Sequence, residues 1–320
     1  MRLTIIEPHE HFEVLIQLGP AIQTLSRPVT IICSARCREE VLAVYPGMTS
    51  CVHWETNKRP PFPKKETVLI FTSLQYKRRP WISWIRRFPT ALLVHNANFY
   101  LGNPIREWGA ARETKYASLR YGFEKSIRFP YKRRVSQIIL SQVKVLIPYS
   151  SLQIPFLRKY YLGPIVHLPI IFKKPSSETG TYDFIAVYGK VSQIDLVYLK
   201  QIRADLNQHH ICLCLADEKK TIQRYLPNCK YIIGPVSHKT YIDLFKKARR
   251  VIFPFRREMV FGVVREVLGE TKYLARIYTA LMYNKPVLFP SPISLPELPK
   301  NAEPLEQSFQ ELVAFLENSH

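Results

Sequence analysis

Where a buried strand ends, a side chain can face a bound molecule and exchange protons with it, and this chain places histidines and carboxylates at two such points. The apolar run Leu3 to Ile6 leads into Glu7-Pro8-His9-Glu10-His11, ahead of a helical segment from Glu13 to Leu25. An imidazole or carboxylate there can take the proton of an attacking hydroxyl. His11, at the helix entrance, and Glu10 are the leading candidates; the plainer alternative is that both are solvated residues of a first helical turn. The second point is the end of the strand in Thr90 to Tyr100, where His95 and Asn96 close an apolar run. A core histidine with a satisfied hydrogen bond is the competing reading of His95. His209-His210 precede a strand and read as structural, and His238 follows Ser237, a helix-capping residue type.

Other chemistries find little support. The first aspartate is Asp183, and Asp183, Asp195, Asp205, Asp217 and Asp243 form no Asp-x-Asp pair of the kind that holds a divalent cation. The six cysteines give no C-x-x-C pair and no Cys/His zinc spacing. Cys212 and Cys214 alternate along an apolar run as buried thiols do, which points to reduced, structural cysteines and a cytosolic setting. Proline outnumbers glycine, 25 to 11, which argues against a glycine-rich phosphate loop as the main device.

The elements that must position these residues are short apolar strands alternating with helical segments. Leu3–Ile6, Val29–Cys33, Val68–Thr72, Ala91–Val94 and Val143–Pro148 read as strands. After Pro175-Ser176-Ser177-Glu178-Thr179-Gly180-Thr181 the rhythm restarts, with Phe184–Tyr188, Ile211–Leu215, Tyr231–Ile233, Val251–Phe253 and Val287–Phe289. Continuous apolar strands with helical crossovers predict parallel sheets covered on both faces. A length of 320 residues accommodates two such α/β domains. The predicted lobes are residues 1–172 and 182–320, with ligands expected at the carboxyl ends of the strands, in the cleft between them.

Charge is uneven. The net charge is +21, and residues 1–172 hold 25 basic against 10 acidic side chains. Such a basic half implies a polyanionic partner: acidic lipid, nucleic acid or a phosphorylated substrate. Residues 76–89 place Trp81, Ile82, Trp84, Ile85 and Phe88 beside Lys77, Arg78, Arg79, Arg86 and Arg87, and residues 115–134 repeat the mixture. If helical, the first stretch has an apolar face flanked by cations, an interfacial membrane-binding design. Nucleic-acid grooves also pair cations with aromatics; the tryptophans favour an anionic membrane surface as the partner. The first apolar stretch stops at Glu7, too early for a signal peptide, and no apolar run is long enough to span a membrane.

The order of pieces in the second half resembles a known family. Tyr188-Gly189-Lys190 follows a strand, then come Ile233-Gly234-Pro235-Val236-Ser237, a strand from Ala248 to Pro254, and Ala280-Leu281-Met282-Tyr283-Asn284-Lys285-Pro286-Val287. In that order they are similar to the nucleotide-sugar-binding lobe of GT-B glycosyltransferases of the group 1 type, whose helix closes in "EAMAxGKPV". The resemblance covers about residues 182–290 well and the first lobe loosely. It implies two Rossmann-like lobes and a nucleotide-diphosphate sugar as donor, UDP- or GDP-linked, with no cofactor and no metal. It also implies that His95 faces the donor sugar and that, if the enzyme inverts configuration, the loop after the first strand holds its base; if it retains configuration, no such base is required and His95 only positions the donor.

One position departs from the pattern. Aligned on Asn284-Lys285-Pro286, the family's ribose-binding glutamate falls at Thr279 and its lysine variant at Arg276. Glu258 and Glu266 offer a second register around Phe261-Gly262, and Glu270 begins the helix in either case. Glu266 or Glu270 is then the ribose ligand, with Glu270 favoured; the alternative is that both complement a helix N-terminus. For the diphosphate, Gly189 with Lys190, Arg256 and Arg276 supply close backbone approach and positive charge.

The resulting expectation is a metal-independent hexosyltransferase-type enzyme of polysaccharide biosynthesis. It would sit in the cytoplasm, peripheral at the inner membrane face, acting on a lipid-linked or cell-surface glycan. A DNA-directed glycosyltransferase, or a non-catalytic GT-B-like module that docks on nucleic acid or membrane, are the alternatives.

Overall fold

The computed structural model describes residues 2–8, 11–48, 51–53, 67–73, 79–95, 137–174, 180–187, 193–202, 210–261, 264–272 and 275–319. The first half runs β1 (Arg2–Ile6), α1 (Phe12–Gln23), β2 (Val29–Cys33), α2 (Ala35–Val44), β3 (Cys51–His53), β4 (Thr67–Phe71), α3 (Arg79–Arg87), β5 (Thr90–Val94), β6 (Val145–Pro148) and α4 (Ile154–Arg158). Its six strands form one parallel sheet in the order β3-β2-β1-β4-β5-β6. β4 and β5 are buried along their whole length, as continuous apolar runs in a doubly covered sheet must be.

The second half runs β7 (Tyr182–Ala186), α5 (Leu196–Ile202), β8 (His210–Leu215), α6 (Ala216–Tyr225), β9 (Lys230–Gly234), α7 (His238–Lys247), β10 (Ala248–Ile252), β11 (Glu258–Phe261), β12 (Val264–Val267), α8 (Ala275–Met282), β13 (Val287–Leu288) and α9 (Glu303–Glu317). Five strands make a second parallel sheet, β13-β10-β7-β8-β9, and β11 pairs with β12 as an antiparallel hairpin. Both sheets reverse direction of winding, at β1/β4 and at β7/β10. Such reversals open the crevices where α/β proteins bind ligands. The chain adopts the GT-B fold, two doubly wound lobes facing a cleft.

Three packing features shape the lobes. Gly180 passes so close to the β10 backbone that a Cβ would lie 2.0 Å from the Arg249 nitrogen, so the entry to the second sheet needs glycine. Behind it, the buried Asp183 carboxylate is held by His210 at 3.0 Å and by Arg249 and Arg250. Burial alone would raise its pKa, but the hydrogen bonds from the two arginines reverse this and hold it below the usual range. Helix α9, which the sequence assigned to residues 182–320, lies in space on the first lobe, against α1 and β4, with Glu317 paired to Arg27. Cys33, Cys37, Cys212, Cys214 and Cys229 are buried.

The membrane reading of residues 76–89 needs correction. The helix forms, but Trp81 and Trp84 are each 1% exposed and Ile85 is buried. Trp81 packs edge-on against Phe71 of β4 at 5.6 Å and against Trp84 at 4.8 Å. The same stripe of apolar residues suits a sheet or a bilayer, and here the sheet takes it, leaving Arg86 and Arg87 at the surface. The second basic-aromatic stretch, residues 115–134, lies outside the described residues. Among the described residues no helix is long and apolar enough to cross a membrane. A core role predicts that Trp84→Ala lowers stability by about 3–5 kcal/mol in urea denaturation, whereas an exposed interfacial tryptophan would cost under about 0.5 kcal/mol.

Candidate active site between the lobes

Four strand ends of the first sheet supply one connected set of side chains. Glu7, after β1, is fully buried and accepts hydrogen bonds from the Thr72 hydroxyl and from Ser73 Oγ at 3.4 Å, both after β4. The Thr72 carbonyl receives His95 Nε2 at 2.9 Å. A carbonyl only accepts, so Nε2 carries the proton and Nδ1 is the basic nitrogen of His95. The His11 ring stacks on His95 at 5.2 Å, His95 lies tilted against Tyr149 at 4.8 Å, and Tyr149 meets Tyr278 of α8 edge-on at 5.1 Å. This line of rings crosses from one lobe to the other.

Buried amides fix the line in place. Tyr149 Oη donates to Gln17 Oε1 at 2.9 Å. Gln153 accepts from the Tyr149 backbone N–H at 2.8 Å and donates to the carbonyls of His95 (3.3 Å) and Thr271 (3.2 Å). Thr271 lies in the second lobe, just before α8. Burial, reinforced by the Glu13 charge, pushes the Tyr149 phenol well above its ordinary pKa, against a smaller effect from Gln17. Tyr149 therefore stays a neutral hydrogen-bonding group.

Above this floor lies a cleft of about 310 Å³. The first lobe lines it with His11, Phe12 and Glu13 at the start of α1 and with Arg36 at the start of α2. The second lobe contributes Leu213, Val236, His238, Tyr241 and Arg276. Local chemistry sets these positions. Ser34 caps α2, accepting from the Cys37 N–H at 3.3 Å, so Arg36 leaves the first turn beside Phe12, 5.9 Å from its ring centroid. Ser237 caps α7, accepting from Thr240 at 3.2 Å, and so places His238 and Tyr241 one turn apart on the cleft side. Glu40 of α2 accepts from the His238 backbone N–H at 2.9 Å, a first-lobe carboxylate on a second-lobe helix N-terminus.

The cleft mixes charged and neutral polar groups. Burial raises the Glu13 carboxyl above the usual carboxylate range, and Glu7 adds to the rise. Its own backbone hydrogen bond, His11 and Arg276 oppose it without cancelling it. Burial also raises the Tyr241 phenol. It depresses His238 to about 4, with Lys174 adding to the effect. Among the described residues, neither Tyr241 Oη nor His238 Nδ1 has a hydrogen-bond partner. Buried polar atoms of this kind are rare in folded proteins unless something else meets them.

Several residues singled out in the sequence lie elsewhere. His11 and Arg276 meet at the cleft and His95 lies directly beneath, but Glu10, Asn96, Gly189 and Lys190 fall outside the described residues. Glu270 is exposed and paired with Arg257 at 2.9 Å. Glu266 is fully buried beside Lys272, whose pKa burial lowers to about 8 against the pull of that carboxylate. Arg256 is exposed and donates to the Ile194 carbonyl at 3.1 Å, and Thr279 is buried in α8. His210 is structural, as expected, paired to Asp183. The sequence reading passed over Glu13, Arg36 and Tyr241. Each sits in the first turn or two of a helix that follows a strand, which was the available signal.

No protein-family model and no curated protein sequence matches the chain. Among solved structures, it is similar to Phytolacca americana UGT2 complexed with UDP-2-fluoro-glucose and pterostilbene, with 9% identity and a TM-score of 0.48 over 98% of this chain and 84% of that one. Os79 from O. sativa, in complex with UDP, gives 10% identity and a TM-score of 0.48 over the same shares, 98% and 84%. UDP-GlcNAc 2-epimerase from Neisseria meningitidis, bound to UDP-GlcNAc, gives 10% and 0.42 over 99% of this chain and 93% of that one. The fold assignment stands on the strand orders themselves.

His238 gives the cleft a pH signature. In the unfolded chain a histidine titrates near 6.5, and in the fold this one titrates near 4. Between those values only the unfolded chain takes up the proton. The contribution to stability is full above pH 6.5 and falls as the pH drops towards 4, by up to about 3 kcal/mol. Melting curves across this range should show a steeper loss for the wild type than for His238→Gln.

Proposed function

We propose that the protein is a glycosyltransferase that binds a nucleotide-diphosphate sugar in the cleft between its lobes and moves the sugar to a hydroxyl presented by the basic first lobe. One observation carries the reading. Tyr241 and His238, whose buried Oη and Nδ1 have no partner among the described residues, line the same cleft as Arg36 and Arg276. A ligand with a neutral polar end and an anionic middle satisfies both sets. The ordered resemblance of residues 182–290 to a nucleotide-sugar-binding lobe points to the same ligand class.

In this reading the base and ribose meet Tyr241 and His238, and the diphosphate lies against Arg276 and Arg36. As the bond between the anomeric carbon and the phosphate oxygen breaks, negative charge grows on the leaving diphosphate, and two fixed cations at the site stabilise it. The acceptor oxygen bonds to the anomeric carbon from the opposite face, and its proton passes to His11. Glu13, in the same cleft, stabilises the imidazolium that forms. This displacement inverts the configuration of the sugar. The acceptor class that fits a basic lobe is a glycan precursor carrying phosphate or another anionic group.

A nucleotide-binding module without catalysis is the second reading. Thr279 stands where the resemblance asks for a carboxylate, and Glu270 is engaged with Arg257 at the surface. Turnover decides between the two. With water as the acceptor, slow release of the nucleoside diphosphate from a bound nucleotide sugar is expected from the wild type. His11→Ala should lower that rate by about 10²–10⁴-fold while donor affinity stays within about twofold. Equal rates in the two proteins contradict the role of His11. Binding with no turnover in the wild type supports the module.

A further inference from the structure

The loop after α4 turns an apolar side chain fully into water and holds it there. Tyr161 folds inward, buried, and donates to the Val143 carbonyl at 2.8 Å, while Leu162, the next residue, is 98% exposed. Arg158 ties the loop by donating to the Gly163 carbonyl at 3.2 Å. Gly163 lies against the Tyr161 ring, where a Cβ would come within 2.5 Å, so the turn is closed by contact. Tyr160 points outward beside Leu162, its ring 5.2 Å from Phe156. The two outward residues form the lip of an open groove of about 640 Å³, whose walls include Leu140, Val143, Tyr161 and Pro164.

The charged residues that line this groove or flank the lip in sequence are basic. Lys144, Arg158 and Lys159 are exposed around it, and no aspartate or glutamate occurs between residues 125 and 177. A single exposed leucine is ordinary on a protein surface. A braced leucine and tyrosine over an apolar groove, ringed by cations with no carboxylate near in sequence, match the chemistry of an interfacial membrane contact.

We propose that the Tyr160–Leu162 lip, with Lys144, Arg158 and Lys159, is the surface by which the protein attaches to an anionic lipid bilayer. The lip stands beside the amino end of β6, at the opposite end of the first sheet from the cleft. Attachment there leaves the cleft open, so the lip anchors the protein and presents no substrate. This surface replaces α3, whose tryptophans are in the core. The proposal stands apart from the catalytic reading, because none of these residues lines the cleft.

Co-sedimentation with vesicles tests it. Wild-type protein should sediment with vesicles of phosphatidylglycerol and phosphatidylcholine in equal parts, be released by salt, and ignore phosphatidylcholine alone. Leu162→Glu should weaken the binding about tenfold or more, while Leu162→Phe retains it. Both variants should melt with the wild type, since the side chain packs against solvent, and both should bind nucleotide as the wild type does. Failure of the wild type to bind anionic vesicles, or equal binding by Leu162→Glu, overturns the proposal. Tighter binding to a single-stranded RNA oligonucleotide than to vesicles, lost in Leu162→Glu, also overturns it and assigns the lip to nucleic acid.

Discussion

The cleft exists because two sheets are held end to end by one line of rings, exposed at His11 and buried at Tyr149 and Tyr278, and by buried amides. His11, His95, Tyr149 and Tyr278 follow one another from the first lobe into the second, each ring about 5 Å from the next. Ring pairs of this kind contribute about 0.5–1.5 kcal/mol each beyond the area they bury. The amides add direction. Gln153 has four partners in three segments, two of which sit after neighbouring strands and the third in the other lobe. Removing it would leave buried carbonyls and an N–H without partners, at about 1–3 kcal/mol for each group. The relative setting of the lobes is thus set by hydrogen-bond satisfaction at the strand ends, where the chemistry also has to happen.

Charge is divided between the ends of the lobes. The carboxylate of Asp183, near the start of β7, meets three basic side chains and serves the packing of the second sheet. At the carboxyl ends the arrangement differs. There Arg36 and Arg276 face a cleft that also contains a carboxyl with a raised pKa, a neutral imidazole and a neutral phenol. A purely cationic cleft would suit any polyanion. This mixture suits a ligand with one charged segment flanked by neutral polar groups, which is the shape of a nucleotide sugar.

The strands were legible because parallel, doubly covered strands are continuous apolar runs. Val29–Cys33 appears in the structure with the predicted bounds, and most other strands shift by one to three residues. β3 and the β11–β12 hairpin are short or irregular in pattern and passed unseen. His11 and His95 were found because a titratable side chain after an apolar strand is visible in one dimension. Arg36 and Tyr241 were missed because their meeting depends on which face of a helix turns to the other lobe. Pattern also misplaced Trp81 and Trp84: helical spacing reveals an apolar face but not whether a sheet or a bilayer covers it. Helix α9 shows the same limit, since nothing in its sequence tells that it crosses back to α1 and β4.

Calorimetric titration with UDP, GDP, CMP and dTDP, without added metal, on the wild type and Tyr241→Phe tests the central claim most directly. An unpartnered buried hydroxyl adds nothing to the stability of the ligand-free fold, so Tyr241→Phe should melt at or slightly above the wild type. If the cleft is a nucleotide-diphosphate site, UDP, GDP or dTDP binds the wild type more tightly than CMP, and the variant binds it about tenfold more weakly because a ligand hydrogen bond is lost. Absence of binding by all four, or equal affinity in both proteins, would contradict the assignment of the cleft.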